Sequence, residues 1–144
     1  MRKRISAPAG MATSAGLHSQ ARPTHRILMV DDDPFFCHRN AEELIQQGYE
    51  VNAAEDGARG WEELQVNRYH LLITENELPK LTGMELIQKL RFAHMRLPVI
   101  IVTDKSPPMA EARRRRLHPV ATLLKPYTLA DFIETVKVVL GKIA

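Results

Sequence analysis

Five polar side chains in this 144-residue chain follow or end apolar segments, and their types could bind a cation or pair with one another. They are Asp31, Asp32, Glu75, Thr103 and Lys125. Adjacent carboxylates such as Asp31 and Asp32 repel each other and are stabilised by a nearby cation. Taken singly, each residue could be a loop acid, an ordinary strand residue or part of a turn. Their shared position after different apolar segments favours a joint functional site.

The elements that must position these residues are five short apolar segments separated by helix-like stretches. The segments are Ile27–Val30, Tyr49–Ala54, Leu71–Thr74, Val99–Thr103 and Thr122–Leu124. The second alternates, whereas the first, third and fourth are almost continuously apolar, as expected for strands buried on both faces. Each gap leaves room for one helix, which predicts repeated strand–helix crossovers.

Local capping signals predict where the helices begin. Asp33 can cap the first helix with Pro34 at its first position, and Gly48 can end it. The five predicted helices begin at Asp33-Pro34, at about Ala58, near Thr82-Gly83, at Met109 and at Thr128.

The fourth predicted helix, Met109–Leu117, differs from the others because it contains four consecutive basic residues. They are Arg113, Arg114, Arg115 and Arg116. Four successive side chains surround a helix axis, so at least one of these arginines would lie near the apolar side, with its stem along the apolar surface and its charge in water. We therefore expect this helix to be short and weakly packed.

Five alternating strand–helix units predict an α/β fold, with a parallel sheet and helices on both faces. In such sheets the carboxyl ends of the strands form the site, beside the point where the strand order reverses. The five polar residues named at the outset all fall at this edge. The sequence therefore predicts one site there.

The spacing of Glu75, Pro79 and Gly83 resembles the phosphorylation loop of response-regulator receiver domains in bacterial two-component signalling. Residues 26–144 as a whole are similar to this family. The resemblance implies a doubly wound, flavodoxin-like sheet of five parallel strands in the order 2-1-3-4-5. It also implies a protein of phosphorelay signal transduction and not an enzyme.

The resemblance further implies a role for each site residue. Glu75 takes the phosphoacceptor position, Asp31 and Asp32 form the acidic pocket, and Thr103 and Lys125 would contact phosphoryl oxygens. In the family the acids, the acceptor and a backbone carbonyl two residues later, here that of Glu77, hold Mg²⁺. A hard cation and an ammonium neutralise charge on the transferred group.

Three residues depart from the family pattern, and each departure is expected to impair phosphorylation. Glu75 replaces aspartate, which moves the carboxylate by about 1.5 Å and spoils the geometry of attack. Asp104 follows Thr103 and would repel a phosphate. Thr122 stands where the family has an aromatic switch residue. We therefore expect a phosphorylation-independent module in which Glu75 reaches Lys125, whose ammonium could also take the place of Mg²⁺.

The N-terminal region differs from the rest of the chain in charge and composition. Residues 1–26 contain five basic residues and no acid, and residues 1–25 lack periodicity, so we expect a disordered basic tail before a receiver-like domain at 26–144. One cysteine excludes an internal disulfide and fits a cytoplasmic location. No apolar segment is long enough to span a membrane, and no secretory signal is recognisable.

Two other functions stay open at this level. One is a conventional phospho-accepting response regulator. The other is a phosphatase of the haloacid-dehalogenase type, which the Asp31–Asp33 segment resembles, although no second acidic pair follows Lys125.

The expected partners are a sensor kinase or a downstream signalling protein. The arginine run Arg113–Arg116 would form a face for an acidic surface of that partner. No base-reading helix is evident, so direct nucleic-acid binding is not expected. We expect a monomer or a weak homodimer.

Overall fold

The structure, a computed structural model, describes residues 3–5, 24–105, 116–118 and 120–141. Its strands are β1 (Lys3–Ile5), β2 (Arg26–Val30), β3 (Glu50–Ala54), β4 (Leu71–Glu75), β5 (Val99–Thr103) and β6 (Val120–Leu124). The helices of this part of the chain are α1 (Pro34–Gln46), α2 (Gly57–Val66), α3 (Gly83–Phe92) and α4 (Leu129–Gly141). Most of the predicted helix at Met109–Leu117 lies outside the described residues.

Five strands, β2 to β6, form the parallel sheet that the sequence predicts. The sheet order is β1-β3-β2-β4-β5-β6, so the five parallel strands follow the order 2-1-3-4-5. β4 and β5 are buried along their whole length, because helices cover both faces of the sheet. The predicted fold class is confirmed.

A sixth strand corrects the prediction of a disordered tail over residues 1–25. Lys3–Ile5 pairs antiparallel with β3, with Lys3 opposite Ala53 and Ile5 opposite Val51. The outer edge of β3 would otherwise leave a row of backbone groups unpaired, and a short antiparallel strand can satisfy them. β1 therefore belongs to the sheet, although the apolar pattern of residues 1–25 gave no sign of it.

The core consists of two layers, one on each face of the sheet. α1 and α4 pack on one face, where Leu44 and Phe132 are fully buried. α2 and α3 cover the other face, where Leu64 and Leu86 are buried. This arrangement holds the strands rigidly, so their carboxyl ends present side chains from a fixed frame.

The predicted helix ends agree with the structure at the caps. The Asp33 side chain accepts a hydrogen bond from the N–H of Phe35 at 3.0 Å and begins α1. Gly48, which follows α1, has φ of +99°, a conformation that suits glycine. The hydroxyl of Thr128 accepts from the N–H of Asp131 at 3.0 Å at the start of α4. Asp33 and Thr128 thus fix the starts of α1 and α4, and Gly48 follows the end of α1.

Candidate functional site

The structure brings the predicted site residues together at the carboxyl edge of the sheet. Glu75 is the last residue of β4 and Thr103 the last of β5, and these strands are neighbours. Asp31 follows β2, on the other side of β4, and Lys125 follows β6, on the other side of β5. The side chains therefore meet because adjacent parallel strands end at the same level.

An ion pair between Glu75 and Lys125 lies at the centre of this edge. The Nζ atom of Lys125 is 2.8 Å from Oε2 of Glu75, whose side chain is only 6% exposed. The backbone N–H of Lys125 donates to the carbonyl of Thr103 at 2.8 Å, which fixes the start of the following loop. The Lys125–Pro126 peptide bond is cis. The lysine therefore reaches the glutamate from a held backbone.

The electrostatics of Glu75 reflect two opposing influences. The pKa of its carboxyl group is raised to about 7, because burial and, to a lesser extent, the charges of Asp31 and Glu77 together outweigh the lowering by Lys125. Burial alone would lower the pKa of Lys125, but the bond to Glu75 raises it overall. The pair is thus mutually stabilising, although the glutamate has lost most of its hydration.

The carboxylate of Glu77 makes a second contact that the sequence analysis missed. The Thr103 hydroxyl donates to Oε2 of Glu77 at 2.8 Å, and Nδ2 of Asn76 donates to the same oxygen at 3.1 Å. Burial raises the pKa of Glu77, but these hydrogen bonds outweigh it and lower the pKa overall. Only the backbone carbonyl of Glu77 was expected at the site. Its side chain instead engages the hydroxyl that the resemblance assigns to a phosphoryl group.

The acidic pocket is less enclosed than the ion pair. Asp31 is half-buried and its Oδ1 accepts from the N–H of Asp33 at 2.9 Å, while Asp32 is exposed. Burial is the main reason why the pKa of Asp31 is raised, and Asp32 and Asp33 add to it. Asp31 therefore shares its loop with the helix cap at Asp33.

The expected magnesium ligands do not form a metal-binding group in this arrangement. Among the described residues, no three His, Cys, Asp or Glu side chains are gathered so that they could hold a metal ion. The ammonium of Lys125 already neutralises Glu75 at 2.8 Å. The glutamate oxygen that the resemblance assigns to Mg²⁺ is therefore engaged by an ammonium in this arrangement. Because Mg²⁺ is commonly held by one or two carboxylates together with water, its binding at Asp31 and Asp32 stays a prediction.

The loop after Glu75 explains the glycine in the sequence motif. A Cβ atom on Gly83 would lie 2.7 Å from the carbonyl oxygen of Glu75 and 2.9 Å from Cα of Asn76. The N–H of Gly83 donates to the carbonyl of Asn76 at 3.0 Å, and the Asn76 side chain accepts from the N–H of Met84 at 3.1 Å. Asn76, another residue that the sequence analysis missed, thus ties the loop to the start of α3.

Thr122, the residue at the aromatic switch position, lies away from the ion pair. It is half-buried, and its hydroxyl has no hydrogen-bond partner among the described residues. The nearest aromatic residue in sequence, Tyr127, accepts a hydrogen bond from Nδ2 of Asn40 at 2.8 Å. A threonine at this position therefore adds no contact to the ion-pair site.

The arginine run expected to face a partner is described by the structure at one position only. Arg116 is exposed and has a positive φ of +58°, so its backbone is not helical there. This corrects the prediction of a helix that continues through Arg116 to Leu117. The other three members of the run lie outside the described residues: Arg113, Arg114 and Arg115.

The fold and this strand-end site define a signalling receiver domain. The sequence model of the response regulator receiver domain matches residues 27–137, so the chain belongs to that family, which acts in two-component phosphorelay signalling. Among the described residues, no helix has both the length and the apolar character needed to cross a membrane.

Curated relatives and solved structures agree with this assignment. The chain is 35% identical over 112 residues to the response regulator RppA of Synechocystis sp., covering 75% of this chain and 47% of that protein. It is 35% identical over 94 residues to a gliding motility regulatory protein of Myxococcus xanthus, covering 64% of this chain but 12% of the relative. The chain thus spans less than half the length of both.

Two solved structures show the same fold. A CheY-like receiver domain from Methanospirillum hungatei has a TM-score of 0.75 at 26% identity, covering 83% of this chain and 96% of that one. The response regulator TrrA of Thermotoga maritima, solved with Mg²⁺ and BeF, has a TM-score of 0.71 at 27% identity, covering 81% and 99%. A receiver domain of this fold can therefore bind Mg²⁺.

Proposed function

We propose that this chain is an atypical receiver domain that signals by contacting a protein partner without being phosphorylated. The observation that carries the proposal is the 2.8 Å ion pair between the buried Glu75 carboxylate and Lys125. In the family the corresponding lysine contacts the phosphoryl group. Here the longer glutamate brings its own carboxyl group to the lysine, so a side chain of the domain takes the contact that a transient phosphoryl group makes in the family.

The engagement of Thr103 supports the same proposal. Its hydroxyl donates to Glu77 at 2.8 Å, so both residues that would contact phosphoryl oxygens are already paired with carboxylates of the chain. A phosphoryl group could bind only if the contacts of Thr103 with Glu77 and of Lys125 with Glu75 were broken. The same end of the sheet also contains the carboxylates of Asp31 and Asp104. Repulsion between like charges in a poorly hydrated site opposes that exchange.

The family membership supports a proposal for the kind of partner and the setting. We propose a sensor kinase or a downstream signalling protein as partner, a cytoplasmic location, and no catalytic activity of the chain's own. Direct nucleic-acid binding forms no part of the proposal, and the receiver unit is proposed to begin at residue 26. The partner face proposed from the sequence is the arginine run, suited to an acidic surface: Arg113, Arg114, Arg115 and Arg116.

The experiment that tests the proposal is intact-protein mass spectrometry after incubation with acetyl phosphate and Mg²⁺. We expect no phosphoryl adduct on the natural chain. The Glu75→Asp variant, incubated in parallel, tests whether the rest of the pocket is competent, because it restores the shorter side chain of the family. An Asp31→Asn/Glu75→Asp variant is the matched control, which should lose any adduct through loss of an acidic pocket residue.

A phosphoryl adduct on the natural chain that maps to Glu75 would overturn the proposal in favour of a conventional phospho-accepting regulator. This second candidate has support from the retained residues Asp31, Thr103 and Lys125, which match the family at one sheet edge. Magnesium binding is tested in the same experiment by omitting the metal. An adduct on Glu75→Asp only when Mg²⁺ is present would indicate that the shorter acceptor reopens the metal site.

A further inference from the structure

A groove lies where β4 and β5 begin, at the end of these strands opposite to Glu75 and between the loops that lead into them. It has a volume of about 410 Å³. Because β4 and β5 run from this edge to Glu75 and Thr103, a ligand here would leave the ion-pair site free. Its lining residues come from the end of α2 with the following loop, and from the α3–β5 loop: Leu64, Gln65, Val66, Asn67, Arg68, Tyr69, Met95, Arg96 and Leu97.

One wall of the groove is fixed by a buried hydrogen-bond network. The Tyr69 hydroxyl donates to Oε1 of Glu63 at 2.5 Å and lies 2.6 Å from the side-chain amide of Asn52. Nδ2 of Asn67 donates to the same Glu63 oxygen at 2.7 Å. These hydrogen bonds hold Tyr69 and Asn67 on the buried carboxylate of Glu63, so this wall of the groove keeps its shape without a ligand.

The facing wall is fixed by Arg91. Its guanidinium donates to the carbonyls of Met95 at 2.7 Å and Leu97 at 2.8 Å, and to that of Leu117 at 2.7 Å. Burial, with a further contribution from Arg96, lowers the pKa of Arg91 to about 10, so the group remains charged at neutral pH. The α3–β5 loop is therefore held in place from within the protein.

The mouth of the groove is basic and is flanked by exposed apolar side chains. Arg68 and Arg96 line it, both are exposed, and neither forms a salt bridge with a described residue. Val66 at the end of α2 lines the groove and is 71% exposed, and Met95 and Leu97 line it from the other loop. Exposed apolar side chains beside guanidinium groups that face solvent are typical of a surface that binds a partner.

We propose that this groove is a docking site for an acidic peptide segment of a partner protein. A carboxylate of the segment would lie between Arg68 and Arg96, where the planar guanidinium groups match it in charge and geometry. An apolar side chain of the segment would pack against Val66 and Leu97. A peptide fits better than a small anion, because the lining places apolar side chains, among them Val66 and Leu97, in the same groove as the two arginines. The inference stands apart from the proposed function.

The test is fluorescence polarisation with a labelled peptide of alternating glutamate and leucine, and with its lysine–leucine counterpart. The full chain is used with Arg113–Arg116 replaced by glutamine, so that the arginine run cannot bind the probe. We expect the acidic peptide to bind and the basic one not to. Replacing Arg68 and Arg96 by glutamine should weaken binding about tenfold, as loss of two exposed charge pairs predicts.

The matched control replaces Arg39 and Arg59, two exposed arginines outside the groove, by glutamine and should leave binding unchanged. Chemical-shift changes at residues 64–69 and 95–97 on titration would locate the peptide. Equal weakening by both double variants, or no binding of the acidic peptide, would overturn the proposal. Inorganic phosphate that shifts these residues when the peptide does not would overturn it in favour of a small-anion site.

Discussion

Two buried glutamates lie at opposite edges of the sheet and are stabilised in different ways. Glu63 is 3% exposed and accepts hydrogen bonds from the neutral donors of Tyr69 and Asn67. Glu75 is 6% exposed, and its partner is the cationic Lys125, with Asp31 and Glu77 close enough to raise its pKa. Neutral donors hold the first in a fixed network, whereas the second depends on one ammonium among other acids.

From this difference we interpret Glu63 as a structural charge, and Glu75 as the charge that the proposed function uses. The donors of Glu63 come from the end of its own helix and from the adjacent loop, and the side-chain amide of Asn52 in β3 contacts it, so its network ties α2 to the sheet. The partner of Glu75 comes from a loop after a different strand, and the like charges around it oppose ionisation. Sites where burial and like charges shift a pKa are characteristic of function.

The largest expected effect in this comparison is that of Glu63→Ala. The variant leaves the Tyr69 hydroxyl and the Asn67 amide without their acceptor and creates a cavity, so the free energy of unfolding should fall by about 3 kcal/mol. Urea denaturation at neutral pH measures it. Glu42→Ala is the control, since Glu42 is exposed on α1, and it should change stability by less than about 0.5 kcal/mol. A loss below about 1 kcal/mol for Glu63→Ala would contradict the structural role.

A smaller effect is expected from removing the cation at the other edge. Lys125→Met leaves the Glu75 carboxylate buried without a counter-charge, and stability should fall by about 2 kcal/mol at about pH 8, less than for a fully buried pair because Lys125 is partly exposed. The double variant Lys125→Met/Glu75→Gln should recover most of this loss. If the stability change of the double variant equals the sum of the changes for Lys125→Met alone and Glu75→Gln alone, the ion pair is not coupled in solution.

The smallest expected effect is a pH dependence that Glu75 introduces. Its folded-state pKa is raised from 4.5 to about 7, so its contribution to stability is fully present below 4.5 and is lost as the pH rises through about 7. Relative to Glu75→Gln, the natural chain should lose about 1–2 kcal/mol between about pH 5 and about pH 8. Denaturation curves at several pH values measure this. A constant difference between the two proteins would show that Glu75 does not titrate in this range.

The parallel sheet and the helix caps could be predicted because local signals determine them. Continuous apolar segments marked β4 and β5, and Asp33, Gly48 and Thr128 marked helix ends. The strand order came from resemblance to the family, and the structure confirms it. β1 was missed because its pairing joins residues far apart in the chain, and three residues carry too little periodicity to reveal it.

At the site, the sequence indicated the edge and the ion pair but not the partner of Thr103. The strand-end rule brings Glu75 and Lys125 to one place without knowledge of side-chain rotamers. The contact between Thr103 and the Glu77 side chain spans 26 positions in sequence and depends on which way a loop residue turns. The position of Glu77, two residues after the acceptor, was the only sequence signal available.

The close packing of Gly83 against the carbonyl of Glu75 has an evolutionary consequence. Because Gly83 leaves no room for a Cβ atom beside the Glu75 carbonyl and its N–H donates to the carbonyl of Asn76, exchange of glutamate for aspartate alters the side chain on an unchanged loop. The codons for these two amino acids differ only at the third base. A single nucleotide substitution therefore separates the glutamate of this domain from the aspartate typical of its family.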